Sequence, residues 1–272
     1  MHAGLAAWLW YGRGWLAYPL FLAVSVLACL VHQRILSEWF HEATHWNLVP
    51  SRDWNDRLSD LLLGTFNGTR VKSNRPGHFR HHAASEFFTP EDPDTRGCAA
   101  ATRSDLLRGL LKDLSGASAL QAFLATARGE TGGNTASTPG AGWFAWLALL
   151  HGAAFAVTLR TGRPDIYPLY FLTQLMLYPI ANRFRLYAHH ARDAGRQRYQ
   201  LIGSPVSRNF QGTALDLILL QSPMIMYHRA HHEMPALPYR ALRALAPRAT
   251  DPNAFGESGL RVAAAVAGGL PR

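Results

Sequence analysis

Eight of the thirteen histidines fall in three short clusters. His41 and His45 stand four apart in HEATH, His78, His81 and His82 stand at i, i+3, i+4 in HFRHH, and His228, His231 and His232 repeat that spacing in HRAHH. Residues three and four apart on a helix share one face, so each cluster would aim its imidazoles in one direction. Neutral imidazole is a strong ligand for iron, zinc or copper, and two metal ions need about eight to ten donors between them. A lone helical histidine is more often a satisfied or solvated residue than a ligand, but recurrence changes that balance. At this histidine frequency the HxxHH pattern arises by chance in about three chains of this length per hundred, and here it occurs twice.

Two other chemistries fit part of the pattern. HEATH also reads as HExxH, the zinc-protease helix in which Glu42 would be the general base. In a membrane that would be an intramembrane zinc protease, which needs one further ligand rather than six more histidines in two matching boxes. A metal-sequestering or transport protein would need polar residues at mid-membrane to line a path, and the apolar hairpin described below offers little beyond His151, Thr158 and Thr173.

The elements that must position the boxes are apolar. The chain has 272 residues, 48% of them hydrophobic and 17% charged, and its mean hydropathy is near zero. That average conceals apolar blocks at 15–36, 143–159 and 166–180 alternating with Arg-rich loops, a membrane signature. The expected fold is an all-α integral membrane protein of about 3 to 4 transmembrane helices with a cytosolic cap carrying the histidine boxes. Residues 1–272 read as a single domain, made of a membrane helix over 15–40, a helical hairpin over 143–181 and a basic segment with the third box over 182–240. Residues 3–11 read as an interfacial patch, 58–66 as a re-entrant or interfacial piece, 105–128 as a surface helix, and GETGGNTASTPGAG as a linker.

The net charge of +9 lies beside the apolar blocks rather than on a separate basic domain. It therefore implies anionic lipid headgroups and no nucleic acid. By the positive-inside rule the loops bearing Arg52, Arg57, Arg70, Lys72 and Arg75, and then Arg183, Arg185, Arg192, Arg196, Arg198 and Arg208, are cytoplasmic. The boxes and the C-terminus fall on that side, with the 160–165 turn opposite, in a bacterial-type inner membrane. Cys29 and Cys98 read as free thiols.

Taken together, the boxes resemble those of the membrane fatty acid desaturase family, whose pattern is HxxxH, HxxHH, then HxxHH or QxxHH. The likeness runs from His41 to Tyr239. It takes in the order of the boxes, the hairpin between the second and third, and YHRAHHEMPALPY, which is similar to the family's third box with its trailing Pro-x-x-Pro-Tyr. Members commonly carry one more ligand histidine after the hairpin, preceded by Glu in a segment that starts with Arg. RLYAHH fits that segment, with Arg185 leading, His190 in the ligand position and His189 in place of Glu. Adjacent helical residues point about 100° apart, so one of the two is expected to bind metal, and the resemblance favours His190. A second departure is that members usually have two spanning segments before the first box, where this chain has room for one.

The resemblance implies two non-haem iron ions as cofactors, held by His41, His45, His78, His81, His82, His190, His228, His231 and His232, which form the catalytic set. It implies O2 as cosubstrate, two electrons from a ferredoxin or cytochrome-type donor, and hydrogen removal from an unactivated C–H bond of a lipid or fatty acyl chain. Hydroxylases and ketolases of the family share these ligands, and the sequence leaves that choice open. Carboxylates normally hold the far ring nitrogen of a ligand histidine, and by proximity Glu42, Glu86, Asp94, Asp216 and Glu233 are candidates, each weighed against the role of an ordinary surface or loop acid.

Overall fold

The computed structural model describes residues 17–130, 138–195, 198–209, 213–219, 225–245 and 258–271. The 3–11 patch and much of the linker lie outside these residues. What is described is mostly helical, with a single two-stranded sheet.

Helix α1 (Ala17–Thr44) has 28 residues, about 42 Å at 1.5 Å per residue. Its first half turns Leu20, Leu22 and Leu27 outward, while its second half buries Gln33, Arg34, Glu38, Glu42 and His45. The helix stops at Trp46, which takes a left-handed φ of 60°, a position glycine usually fills at a helix end. The strain of such a residue costs about 1–3 kcal/mol. The Trp46 ring lies between the guanidinium groups of Arg52, at 4.6 Å, and Arg75, at 3.9 Å, cation–π contacts that offset part of that cost.

Helix α2 starts at Arg52–Ser59, capped by Ser51, passes through a π-helical turn at Asp60–Gly64 and continues as Thr65–Asn67. The 58–66 piece thus belongs to a longer helix that begins at Arg52. Thr65 Oγ1 donates to the carbonyls of Asp60 and Leu61, which supports the widened turn. Asp60 in turn accepts from Val71 N at 2.7 Å and Arg70 Nε at 3.2 Å, fixing the start of α3 (Val71–Ala83), which carries the second box.

The last carbonyls of a helix lack intrahelical partners, and for α1 the next two helices supply them. Arg75 of α3 donates to Thr44 O at 2.8 Å and Ala43 O at 3.1 Å, and Asn55 of α2 donates to Ala43 O at 2.8 Å. Arg75 also grips Asp56 with two bonds, at 2.5 and 3.1 Å. One guanidinium therefore sets the first box against the second.

The surface helix expected over 105–128 is two helices, α4 (Arg103–Leu114) and α5 (Ala117–Arg128), because Gly116 turns the chain with φ 77°. Next comes the expected hairpin. Its first arm is α6 (Ala141–Arg160), and among the described residues it is the one helix long and apolar enough to cross a membrane. Its second arm, α7, runs as Ile166–Leu172, a π-helical turn at Thr173–Leu177, and Tyr178–His190. Proline lacks an N–H and crowds the carbonyl four residues back, so Pro179 gives the widened turn before it a local cause. The arm does not stop at 181 but continues to His190.

A short hairpin, β1 (Arg192–Gly195) with β2 (Arg198–Gln200), and helices α8 (Ala214–Leu219), α9 (His228–Glu233), α10 (Tyr239–Leu245) and α11 (Gly259–Gly269) complete the described chain. The main core lies beside the histidines, not between the apolar arms. Phe87, Phe88, Leu106, Leu186, Tyr187, Leu201, Val262 and Val266 pack there.

Part of the basic run proves structural. Arg183 is buried, with Nε 2.7 Å and a terminal nitrogen 3.2 Å from the Asp113 carboxylate, and so pins α4 to α7. Removing one partner of a buried ion pair strands the other and costs about 3–5 kcal/mol. Asp113→Ala should therefore lower the thermal unfolding midpoint of the purified protein sharply, whereas Arg108→Ala at an exposed site of the same helix should change stability by less than about 0.5 kcal/mol. Equal midpoints for the two variants would remove Arg183 from the frame of the fold.

Candidate metal centre

The three boxes arrive at one place from three helix ends: the last turn of α1, the last turns of α3 and the whole of short α9. Helix α9 is fastened at its start by Asn209, whose Oδ1 accepts from Arg229 N at 2.9 Å and Ala230 N at 3.2 Å. Box one is tied to the segment after box three where Glu42 Oε2 accepts from Tyr239 N at 3.2 Å. The end of α7 brings His190 between boxes two and three.

The rings divide into two groups. His41, His45, His78, His82 and His231 form one, and His81, His190, His228 and His232 the other, with the ligand atoms in each group within 4.8 Å of one another. All eight box histidines and His190 are used, and the boxes are split between the groups. Box two sends His78 and His82 to the first and His81 to the second, while box three sends His231 to the first and His228 and His232 to the second.

Within each group the Nε2 atoms face each other. His45 and His78 are 2.9 Å apart, His78 and His82 3.1 Å, and His82 and His231 3.1 Å. In the second group His228 lies 3.0 Å from His190 and 3.1 Å from His232. A single ring nitrogen cannot be both donor and acceptor, so a run in which His78 and His82 each face two other Nε2 atoms is not a hydrogen-bond chain. Metal–imidazole bonds of about 2.1 Å at right angles put neighbouring donors about 3 Å apart and opposed donors about 4 Å apart. The spacing observed is that of donors around a common centre, and the residues present fit a metal in each group.

Three of the outward-facing nitrogens have partners of the kind that orient metal ligands, while Nδ1 of His41, His82, His228 and His231 is buried without one among the described residues. His78 Nδ1 lies 2.6 Å from Asp94, His81 Nδ1 lies 3.0 Å from both oxygens of Asp92, and His190 Nδ1 lies 3.2 Å from the carbonyl of Val206. Asp92 is fully buried and also accepts from Thr95 Oγ1 and from Asp94 N. The loop that presents both acids is tight, with Phe88 at φ 60° and its amide bonded to Thr95 Oγ1 at 2.6 Å.

Of the five candidate acids, Asp94 meets a ring nitrogen. Glu42 binds the Tyr239 amide instead. Asp216 accepts from Thr213, Ser258 Oγ and Leu260 N and joins the starts of α8 and α11. Glu233 pairs with Arg229 on the surface at 3.0 Å, and Glu86 lies beside Gly203. Sequence proximity passed over Asp92, although Asp92-Pro93-Asp94, ten residues after His82, was its signal. His189 is fully buried and stacks on His228 at 4.1 Å between ring centres. His32 is exposed near Tyr170, and His151 contacts Tyr167 and the carbonyl of Thr65.

Burial first, and neighbouring imidazoles second, hold His82, His231 and His232 well below the usual value of 6.5, and the same causes push His45 down to about 2. Such rings are neutral near pH 7, the form that binds metal. Burial works against the Asp94 carboxylate, but His78 beside it prevails and holds it well below its ordinary value.

A family model described as fatty acid desaturase matches residues 13–264. The chain belongs to the fatty acid desaturase family. Comparison with curated proteins and with solved structures returns no match. Membership and the two imidazole clusters together point to an oxidoreductase of the desaturase and hydroxylase kind with non-haem iron. In this desaturase-family chain, loss of a carboxylate that orients a ligand histidine should cost 10–100-fold in metal affinity, as is typical. Asp92→Ala and Asp94→Ala should each copurify with less iron than the parent, and Glu233→Ala should match it. Parental iron content in both Asp variants would show that these acids do not act on the metal.

Proposed function

We propose that this chain is a membrane di-iron oxidase that uses O2 and two electrons to desaturate a fatty acyl or related lipid chain. The observation that carries the reading is the division of nine imidazoles into two groups whose ligand nitrogens lie within 4.8 Å of one another. One iron would be held by His41, His45, His78, His82 and His231, the other by His81, His190, His228 and His232. When bound, the irons supply dioxygen activation and the oxidising power to take hydrogen from an unactivated C–H bond.

The protein's own residues do the rest. His78 and His81 are held in one tautomer by Asp94 and Asp92, and His190 by the Val206 carbonyl. Packing of Phe87 against His190, with ring centres 3.9 Å apart, and of Tyr239 on His231, at 5.4 Å, keeps the rings from turning and excludes water from their flanks. A ferredoxin or cytochrome-type protein would supply the electrons from the cytoplasmic side. The reading as a zinc protease is disfavoured because Glu42, its would-be base, spends a carboxylate oxygen on the Tyr239 amide.

Profiling of lipids from cells with and without the gene product separates the outcomes by mass. Desaturation predicts a product two hydrogens lighter, whereas a gain of one oxygen would replace it with hydroxylation by the same site. His190→Ala should abolish the product and lower iron content, and His189→Ala should keep more of both. The reverse order would exchange the roles of the two residues.

The same reading places the histidine cap and the C-terminus in the cytoplasm and the 160–165 turn across the membrane. The two arms support it: α6 is about 30 Å long, and α7 carries His190 at the end away from that turn. An impermeant thiol reagent should mark Asn74→Cys and Gly162→Cys from opposite sides, and marking from one side would reject the arrangement.

A further inference from the structure

Helices α4 and α5 present leucines left exposed among the described residues. On α4, Leu107, Leu111 and Leu114 lie at i, i+4, i+7 and are 58%, 56% and 45% exposed, and across the Gly116 turn Leu120 and Leu124 of α5 continue the surface. The opposite side of α4 is the one that packs, through Leu106 in the core and Asp113 on Arg183. Each helix has 12 residues, about 18 Å, too short to cross a hydrocarbon core of about 30 Å.

Charge borders the leucines on one side. Arg108 and Lys112 flank the α4 stripe, both exposed, while at the far ends of the pair Arg103 donates to the Leu270 and Gly268 carbonyls and Arg128 lies 4.0 Å from Glu130. The two helices hold only two carboxylates, and both are engaged: Asp105 with Thr102 and Arg108, and Asp113 with Arg183. An exposed apolar stripe with cations at its edge is the pattern of a helix lying in a lipid interface.

The height of the pair is set by its neighbours. Phe123 of α5 stacks on Trp143, in the first turn of α6, with ring centres 6.2 Å apart, and α5 packs against the Thr173–Leu177 turn of α7. None of the residues of α6 is buried in the protein, and tryptophan favours the level where a spanning helix meets the headgroups. The leucine face therefore continues the lipid-facing surface of α6.

We propose that the α4–α5 pair is an interfacial anchor, its leucines in the acyl chains and its cations on the anionic headgroups of the leaflet that faces the histidine cap. Through Asp113 and Arg183 it holds the end of α7, and with it His190, at a fixed height above the bilayer. The inference rests on α6 crossing the membrane, and its test carries a separate check of that point.

The test uses the full iron-loaded chain in vesicles of phosphatidylcholine with or without phosphatidylglycerol. Nitroxide labels are placed at Leu111→Cys, Leu120→Cys and Arg108→Cys, and at Leu149→Cys on α6 as the check, and the signal of the parent chain labelled at Cys29 and Cys98 is subtracted. Collisions with oxygen, which concentrates in acyl chains, should exceed those with a water-soluble nickel chelate several-fold at Leu111, Leu120 and Leu149, and the ratio should invert at Arg108. In the Arg108→Gln, Lys112→Gln double variant the Leu111 ratio should fall in vesicles containing phosphatidylglycerol, and an unchanged ratio would overturn the anionic contact. Nickel access at Leu111 and Leu120 with Leu149 protected would overturn the anchor while leaving the span intact, and nickel access at all three would reject the span itself. Labels that are nickel-accessible in vesicles and freeze only when a second protein is added would assign the face to a protein partner and overturn the proposal.

Discussion

Nine imidazoles can share so small a buried space only if every ring is neutral and every metal-facing nitrogen points at one of two centres. Most of the architecture follows from that constraint. Burial suppresses the charge on His41, His190, His228 and His231, and the aim of each ring is set by the helix that carries it, so the ends of α1, α3, α7 and the short α9 have to meet. Helix ends expose unpaired carbonyls and amides, which cannot be left bare in a buried site. Arg75 and Asn55 satisfy the carbonyls of α1, and Asn209 satisfies the amides of α9. The contacts that hold the boxes together are the same ones that make their meeting tolerable.

That economy extends to the charges. Several arginines of the basic runs are spent inside the cap: Arg75 on Asp56 and α1, Arg183 on Asp113, and Arg208 on the Ala191 carbonyl. A count of basic residues along the chain is silent on this use, because ion pairing over 70 positions, as between Asp113 and Arg183, leaves no local pattern.

The box histidines were legible because imidazoles on one helix face need the i, i+3, i+4 spacing that the sequence displays. The choice of His190 over His189 rested on the family resemblance, because spacing alone does not make it. In the fold it depends on the π-helical turn at Thr173–Leu177, which adds one residue to α7 and rotates everything after it by about 100°, and the only local hint of that turn is Pro179. Asp92 escaped notice for a related reason, since its meeting with His81 is made by the fold of the loop around Phe88 rather than by any helical period. The break between α4 and α5 at Gly116 was there to be read, whereas the length of α7 past 181 was hidden by the change from apolar to polar residues as the helix leaves the apolar layer for the cap.

The central claim is that two metal ions share these nine rings, five and four. Metal analysis of the purified chain, combined with X-ray absorption at the iron edge, tests it most directly. The account predicts two irons per chain with scattering dominated by imidazole nitrogen. A single metal per chain, or zinc in place of iron, would contradict it.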